Sequence, residues 1–461
     1  MKKRILLLLI PVLVFTACSD DFTLLSPISE RNTGSFYQNQ GDFEVAIRGA
    51  YDALQSKGTF GVNYVLMMEM RADNAANGGG ATGLAATLEA IDTFTEIATA
   101  SELRTTWEDS YEGIARANTI LSRIDAAEFT SEEVRNRIKG EALFIRSLLY
   151  YHMAVIFGNI PFQFEEATTP NVKVVQKGAS EIYDQIETDL KTAASLLPAT
   201  ATGANRGRAT SGAANALLGR VYLTNGKASD AATALRAVVT SNQYQLLDNY
   251  ADIWGEANEF NAESIFEVQF IKGGLGEGSA YVDMFTPNGL GGGVGGGIAP
   301  QDVLPDFVSI YEEGDARLEG TLNITDPANP WVRKYDGDPF GAGDSGVNWM
   351  EIRYAEVLLN LAEALGAGNE GYGLINQVRA RAGLAPISAA DGVYADQLLQ
   401  ERRVEFAFEN KRWADLLRAG KAKSVMATHL SISQNDVTLL FPIPQSQIDV
   451  APDAMTQNPE H

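Results

Sequence analysis

Two adjacent segments of this chain have a residue spacing that fixes how they must pack. Leu218, Gly219, Tyr222, Ala231 and Leu235 fall on facing surfaces of two short helices. Gly219 and Ala231 are small enough for two antiparallel helices to approach closely, and Tyr222 would pack across them. The spacing therefore predicts a tight helix pair rather than two independent helices.

This spacing is that of a tetratricopeptide repeat, in which residues 225–227 (Asn-Gly-Lys) supply the turn. A second pair of helical runs, 352–365 and 372–383, is a weaker copy of the first. Such repeats bury their apolar faces by stacking on one another. We therefore predict an all-α fold of tetratricopeptide-like helix pairs.

Long irregular segments interrupt these helix pairs. The largest insertion runs from about 250 to 348 and is glycine-rich at 273–297. Near its start, residues 263–270 (ESIFEVQF) alternate between apolar and polar side chains, which predicts a short strand or an extended segment. Long irregular insertions on a regular helical scaffold usually carry function. We expect this insertion to form part of a ligand-binding face.

Residues 398–418 are dense in helix formers and predict one amphipathic helix. Leu399, Phe406, Trp413 and Leu417 recur at intervals of 7, 7 and 4 residues, which places them on one helical face. The charged residues between them alternate in sign three or four positions apart, so they can pair along the helix. The sequence predicts a buried Trp413 and a flank of mixed charges.

Composition excludes several classes of function. The chain has 461 residues and a formal net charge of -23, which argues against a nucleic-acid partner because phosphate contacts need a basic surface. The three histidines, His152, His429 and His461, have no metal-ligand spacing. Cys18 is the only cysteine, so no disulfide can form within the chain. We predict no cofactor and no metal site.

The first residues are typical of a bacterial lipoprotein. A basic start is followed by an apolar stretch, 5–15, that is too short to span a bilayer comfortably. Small residues then precede Cys18, whose thiol can be lipidated, and several acyl chains give stable anchoring. We predict a signal peptide at 1–17, lipidation at Cys18 and a tether at 18–35. A plain secretory signal with an incidental cysteine is the alternative.

Sugar binding needs flat aromatic faces for the apolar faces of pyranose rings, and polar groups that bond the hydroxyls. Two stretches outside the helical faces concentrate such side chains. The predicted ligand-binding residues are Arg71, Asp73, Asn74 and Asn77 in the first stretch, and Tyr281, Trp331, Arg333 and Tyr335 in the second. No catalytic residue is predicted.

Four signatures in the chain resemble the SusD/RagB family. They are the 138–162 segment, the 353–418 pattern of AEAL, IN-VR-RAGL and ERR-EFAFE-KRW-DL-R, the FPIP of 441–444 and the QNP of 457–459. The resemblance implies a helical part at 36–250 and a part with the ligand-face insertion at 251–461, together one compact body. It also implies that Arg206, Gly207 and Arg208 mark a helix entrance, although from the residues alone they could form an anion site.

The resemblance implies a function as well. Members of this family are lipid-anchored, nutrient-binding proteins of the outer membrane in certain Gram-negative bacteria, and the acidic residues after Cys18 resemble a signal for export to the cell surface. The resemblance implies capture of an oligosaccharide, or a related nutrient, and its delivery to a SusC-like TonB-dependent transporter. It implies no enzymatic activity.

Two other classes of function fit the sequence. A tetratricopeptide-like scaffold that binds only protein would have a ligand face poor in aromatic residues and no sugar affinity. A surface glycoside hydrolase would place two buried carboxylates about 5 to 10 Å apart across one cleft.

Overall fold

The structure is a computed structural model that describes residues 36–77, 84–169, 174–286, 301–304 and 307–461. The predicted signal peptide, Cys18, the tether and the glycine run 289–297 lie outside these residues. The helices of the described residues are α1 (Gln40–Asp52), α2 (Asn63–Met70), α3 (Leu84–Asp92), α4 (Ser101–Arg123), α5 (Glu132–Phe157), α6 (Ala179–Leu196), α7 (Ser211–Thr224), α8 (Ala228–Thr240), α9 (Tyr281–Phe285), α10 (Arg317–Thr321), α11 (Tyr354–Leu365), α12 (Asn369–Arg381), α13 (Tyr394–Glu405), α14 (Arg412–Arg418), α15 (Ala422–Leu430) and α16 (Gln445–Val450).

The strands are short and pair two by two. They are β1 (Ala75–Asn77), β2 (Ile160–Pro161), β3 (Gln176–Lys177), β4 (Ser264–Val268), β5 (Gln301–Val303), β6 (Leu322–Asn323), β7 (Trp331–Val332) and β8 (Trp349–Arg353). Each of the four pairs, β1–β5, β2–β3, β4–β8 and β6–β7, is antiparallel. In the part of the chain that the structure describes, no helix combines the length and the apolar character needed to cross a membrane.

The helices form one continuous stack. Helix α4 packs on α5, α5 on α6, α6 on α7, and α7 on α8. The insertion does not interrupt the stack, since α8, which precedes it in the sequence, packs on α11, which follows it, and α11 packs on α12. The predicted all-α fold of tetratricopeptide-like helix pairs is confirmed.

Helices α7 and α8 form the predicted close pair. A Cβ atom added at Gly219 would lie 2.5 Å from Leu235 Cδ2, closer than side chains approach one another, so this position needs a glycine. Tyr222 is buried against the neighbouring helices. Gly226 has φ +74° in the turn, a conformation that glycine adopts without strain.

A two-stranded sheet ties the insertion to the helical stack. The predicted strand at 263–270 is observed as β4, which pairs with β8 so that Val268 faces Trp349. Both strands are almost entirely buried, and Trp349 has 0% exposure. Because β4 lies near the start of the insertion and β8 near its end, the pairing closes the insertion into a loop held at its base.

The predicted single helix over 398–418 is wrong, because the chain turns between α13 and α14. Phe408 and Asn410 have φ angles of 62° and 58°, in the left-handed region that a helix cannot continue through. The buried aromatic positions are nonetheless confirmed, since Phe406 and Trp413 have exposures of 2% and 0%. The turn allows both short helices to bury an aromatic ring in the same core.

The charges around this turn are buried and pair between elements rather than along one helix. Arg353 Nη1 lies 2.7 Å from Glu263 Oε1 and 2.6 Å from Glu405 Oε1, and its Nε lies 2.7 Å from Glu409 Oε2. Burial opposes the charge of Arg353, but these three carboxylates outweigh it and hold its pKa well above the usual value. This cluster, which we call the Arg353 network, joins β8 to the residue directly before β4, to the end of α13 and to the turn that follows it.

Candidate functional site

The two stretches predicted to bind ligand meet at four short strands. Strand β1 carries Asn77, whose Cα faces that of Gln301 in β5. Strand β5 contacts β7, and in β7 Trp331 faces Asn323 of β6. The structure therefore brings Asn77 and Trp331 to one small group of strands, β1, β5, β6 and β7, which we call the insertion surface.

Among the aromatic residues predicted to bind ligand, Trp331 is the one that is partly exposed on the insertion surface. It is half-buried on β7, while its neighbour Val332 is buried beneath. Arg333 is exposed, and its Nη1 donates to the carbonyl oxygen of Glu319 at 3.3 Å. A partly exposed indole ring can stack on a sugar ring, and an exposed guanidinium can bond hydroxyl groups.

Polar groups surround Asn77 at the other side of the insertion surface. The Asn77 side-chain amide donates to Glu89 Oε2 at 3.1 Å, and its backbone N–H donates to Asp92 Oδ2 at 3.4 Å. Burial raises the pKa of Asp92 to about 6, the Asn77 N–H lowers it, and Glu89 raises it further. Of the two carboxylates only Glu89 is exposed, since Asp92 is buried, and Asn77 itself is half-buried.

Arg71 does not face a ligand, which corrects the prediction for this residue. Its side chain has no exposure, and Nη1 lies 2.9 Å from Glu96 while Nη2 donates to Thr438 Oγ1 at 2.7 Å. The guanidinium also lies 4.1 Å from the ring centroid of Phe94. A buried arginine whose donors are engaged in this way ties α2 to the C-terminal part of the chain and cannot touch a sugar.

Asp73 and Asn74 are also buried, so the structure corrects their predicted ligand contacts. Arg412 donates to both carboxylate oxygens of Asp73, from Nε at 2.7 Å and from Nη2 at 2.9 Å. Burial tends to raise the pKa of Asp73, but Arg412 and Arg403 outweigh it and lower that pKa. Arg403 Nε also donates to Asn74 Oδ1 at 3.0 Å. These contacts fix the chain directly before β1.

Tyr281 and Tyr335 belong to the core beneath the insertion, and the prediction that they contact ligand is wrong for this structure. The Tyr335 ring stacks on Trp349 with centroids 5.4 Å apart and planes at 11°, and its hydroxyl donates to the carbonyl of Phe408 at 2.7 Å. The Tyr281 hydroxyl donates to the carbonyl of Phe60 at 2.5 Å. The strand alternation that would expose Tyr335 beside Trp331 ends at a turn, where the Asp336 N–H donates to the Arg333 carbonyl.

One exposed aromatic residue was not among the predicted ligand-binding residues. Phe340 is 68% exposed in a tight loop, where its N–H donates to the carbonyl of Asp344 at 2.8 Å. The sequence could have identified Phe340 from its neighbours, because glycine and alanine occupy 341–343 and such small side chains leave the ring uncovered. Phe340 lies outside the strands of the insertion surface.

Glu259, which is half-buried, and Glu267, which is buried, test the hydrolase alternative. Asn348 donates to both, from its backbone N–H to Glu259 at 2.8 Å and from its side chain to Glu267 at 2.9 Å. Burial raises the pKa of Glu259 to about 7, an effect that Glu267 reinforces. The cavity that they line has a volume of only about 20 Å³, enough for a water molecule but not for a sugar ring. This pair is therefore not a saccharide cleft.

Comparisons with known proteins match the chain in both halves. A family model described as "Starch-binding associating with outer membrane" matches residues 59–223, and the model of the SusD family matches residues 327–461. A curated relative, SusD-like protein P2 of Formosa agariphila, is 26% identical, and the match covers 91% of each chain.

Solved structures share the fold over nearly the whole chain. A laminarin-binding SusD-like protein is 29% identical with a TM-score of 0.81, and the match covers 92% of this chain and 100% of that one. Surface glycan-binding protein A from Bacteroides thetaiotaomicron, in complex with laminarihexaose, is 25% identical with a TM-score of 0.79 and the same coverage. The chain belongs to the SusD/RagB family.

Proposed function

We propose that this protein binds a glycan at the outer face of the outer membrane and passes it to a SusC-like TonB-dependent transporter. The observation that carries the proposal is the insertion surface, where half-exposed Trp331 lies on the same group of strands as Asn77. The laminarin and laminarihexaose named for two structural relatives support a saccharide as the ligand class. Trp331 would stack on a sugar ring, and Asn77 and Arg333 would bond hydroxyl groups.

Buried contacts hold the chain at both sides of the strands that form the insertion surface. The Asp73–Arg412 pair fixes the chain before β1, and the stack of Tyr335 on Trp349 fixes the chain after β7. A surface that is held in place before the ligand arrives loses less conformational entropy on binding. Residues predicted as ligand contacts would therefore contribute to binding indirectly, by positioning the strands that carry Asn77 and Trp331.

The cell-surface part of the proposal rests on the N-terminal sequence and on the family. A lipid chain on Cys18 would hold the protein at the membrane without a spanning helix. The SusC-like transporter would then receive a ligand that is already concentrated at its outer mouth. A protein-only scaffold would have the same helices but would not need an aromatic ring on the insertion surface.

Affinity electrophoresis tests the proposed function. The purified protein should be retarded in native gels that contain at least one polysaccharide from a panel of neutral polymers (laminarin, α-glucan, mannan and xylan) and acidic polymers (polygalacturonate and carrageenan). Bovine serum albumin, a comparably acidic protein, serves as the control for non-specific retardation. If no polysaccharide of the panel slows the protein, the glycan-binding function is wrong and the protein-only scaffold becomes the better description.

A further inference from the structure

Exposed apolar side chains gather on two neighbouring loops of the insertion. Among the residues that the structure describes, eight large apolar side chains are exposed, and three of them lie on these loops. Ile271 and Leu275 are 56% and 67% exposed on the loop 271–277, and Phe340 is 68% exposed on the loop 338–344. A Cβ atom added at Gly274 would lie 3.4 Å from the Phe340 ring, so the two loops are in contact. We call them the apolar loop pair.

Hydrogen bonds hold the two loops of this pair together. The carboxylate of Asp344 accepts from the backbone N–H of Gly273 at 3.1 Å and from that of Gly274 at 2.6 Å. In the other direction, Lys272 Nζ donates to the carbonyl oxygen of Asp338 at 2.8 Å. Loops that are fixed before a partner arrives lose less conformational entropy on binding.

The exposure of these side chains indicates a contact with another protein. Three large apolar side chains close together in water are unfavourable for a chain that stays alone. Protein interfaces place aromatic and other apolar side chains at their centre and polar groups at their rim. The apolar loop pair has the composition of such a centre.

The rim of the apolar loop pair is acidic. Asp338 and Asp344 belong to the second loop, and Asp283 accepts from a backbone N–H of that loop at 2.5 Å. Glu256 lies 2.9 Å from Lys272, which is the only cationic residue in the sequence of either loop and also attracts Asp338. Four carboxylates thus surround one cation, so the rim keeps a negative charge that a basic partner would neutralise.

The apolar loop pair belongs to the same insertion as Trp331. Trp331 and Phe340 are nine residues apart in the chain, and nine residues span at most about 30 Å even when fully extended. A protein that takes a ligand from the insertion surface is therefore within reach of the apolar loop pair.

We propose that the apolar loop pair docks on a protein whose contact face is apolar at its centre and carries lysine and arginine side chains at its rim. The identity of this partner rests on the proposed function, under which it is the SusC-like transporter. A second copy of this chain fits the rim poorly, because two acidic rims repel each other, and a membrane surface of anionic lipids is repelled in the same way.

Co-purification tests this proposal in cells that produce the full chain, with a C-terminal tag, together with the SusC-like transporter. After the membranes are solubilised in detergent, the protein is captured by its tag, and the molar ratio of transporter to captured protein is measured by mass spectrometry. The substitution Ile271→Ser, Leu275→Ser, Phe340→Ser should lower this ratio by about tenfold or more, because the apolar centre of the contact is lost. Asp338→Lys should lower it as well, because it places a positive charge against the basic rim of the partner.

The matched control is Ile97→Ser, Val393→Ser, Val450→Ser, which replaces three comparably exposed apolar side chains outside the loop pair, at 64%, 66% and 81%. It should leave the ratio unchanged. Thermal melts establish that all variants are folded.

A folded loop variant that captures as much transporter as the parent would show that the proposal is wrong. It is equally wrong if the loop variant no longer binds polysaccharide in affinity electrophoresis, since the loops would then belong to the glycan site. A dimer that the parent forms and the loop variant does not, in size-exclusion chromatography, would make a second copy the partner and overturn the proposal as well. If the parent itself captures no transporter, delivery to the transporter is wrong and this docking site with it, while retardation in polysaccharide gels would still support glycan binding.

Discussion

Replacing Arg353 by methionine is expected to lower the free energy of unfolding by about 3–5 kcal/mol. The Arg353 network places three buried carboxylates, Glu263, Glu405 and Glu409, around the Arg353 guanidinium. The same carboxylates also pair with Arg381, Arg317 and Lys334, so the charges of the cluster depend on one another. Methionine fills a similar volume but removes one positive charge from a group of carboxylates whose side chains are buried. Removing one partner of a buried charge cluster costs far more than the cluster itself contributes, because the remaining charges stay desolvated. Urea unfolding followed by circular dichroism measures the change.

Arg236→Met is the matched control for this experiment. Arg236 also pairs with a carboxylate, Glu370, but both side chains are about half exposed, at 46% and 54%. Exposed pairs contribute at most about 1 kcal/mol, since water solvates either partner when the other is lost. If the two substitutions lower stability equally, burial of the Arg353 network does not have the consequence that we assign to it.

Cys18→Ala should move the protein from the membrane fraction to the soluble fraction. Each buried methylene of an acyl chain contributes about 0.8 kcal/mol, so an anchor of several chains holds the protein firmly while a chain without acyl groups has no comparable hold. The expectation rests on the sequence, because Cys18 lies outside the described residues. Detergent fractionation and labelling with palmitate measure the change.

Ser19→Ala is the control for this change, since it alters the neighbouring residue and keeps the only cysteine. It should remain in the membrane fraction and should still incorporate palmitate. A Cys18→Ala protein that sediments with the outer membrane as the parent does would show that another contact holds it there, and the lipoprotein assignment would be wrong.

The helical scaffold was predictable because periodicity reports directly on burial. The spacing around Gly219 and Leu235 required a close helix pair, and the structure has that contact. The 263–270 alternation indicated a strand, and β4 is there. Apolar positions that recur at a fixed interval must share a face, whatever the rest of the chain does.

The charge pattern of the 398–418 segment was misleading. The same spacing of mixed charges occurs on a solvent-exposed helix and on a helix whose charges pair with distant residues. The 398–418 segment has charges spaced for pairing along one helix, yet Arg402 pairs with Asp415 across the turn. That turn depends on Phe408 and Asn410, whose backbones are in the left-handed conformation. Neither residue is a glycine, so the sequence does not indicate a turn there. Burial of charge is a property of the whole fold and cannot be read from local spacing.

The sequence predicted a ligand face in two stretches, and the structure brings these stretches together, but it buries most of the side chains predicted to contact ligand. Asp73 resembles a ligand residue because it lies in a short polar stretch before a loop. Its partner Arg412 is 339 positions away, and no local pattern reveals that pairing. Trp331 and Asn77 stay candidates because the strands that carry them reach the surface.

Isothermal titration calorimetry of Trp331→Ala measures whether the insertion surface binds the glycan. With the polysaccharide fragment that the parent binds best, loss of one stacked ring should weaken binding by about 1–3 kcal/mol. Phe340→Ala is the matched control, because it removes an exposed ring outside the insertion surface and should leave the affinity as it was. Thermal melts establish that both variants are folded. A folded Trp331→Ala protein that binds as tightly as the parent, or a Phe340→Ala protein that alone loses binding, would contradict the assignment of the insertion surface as the glycan site.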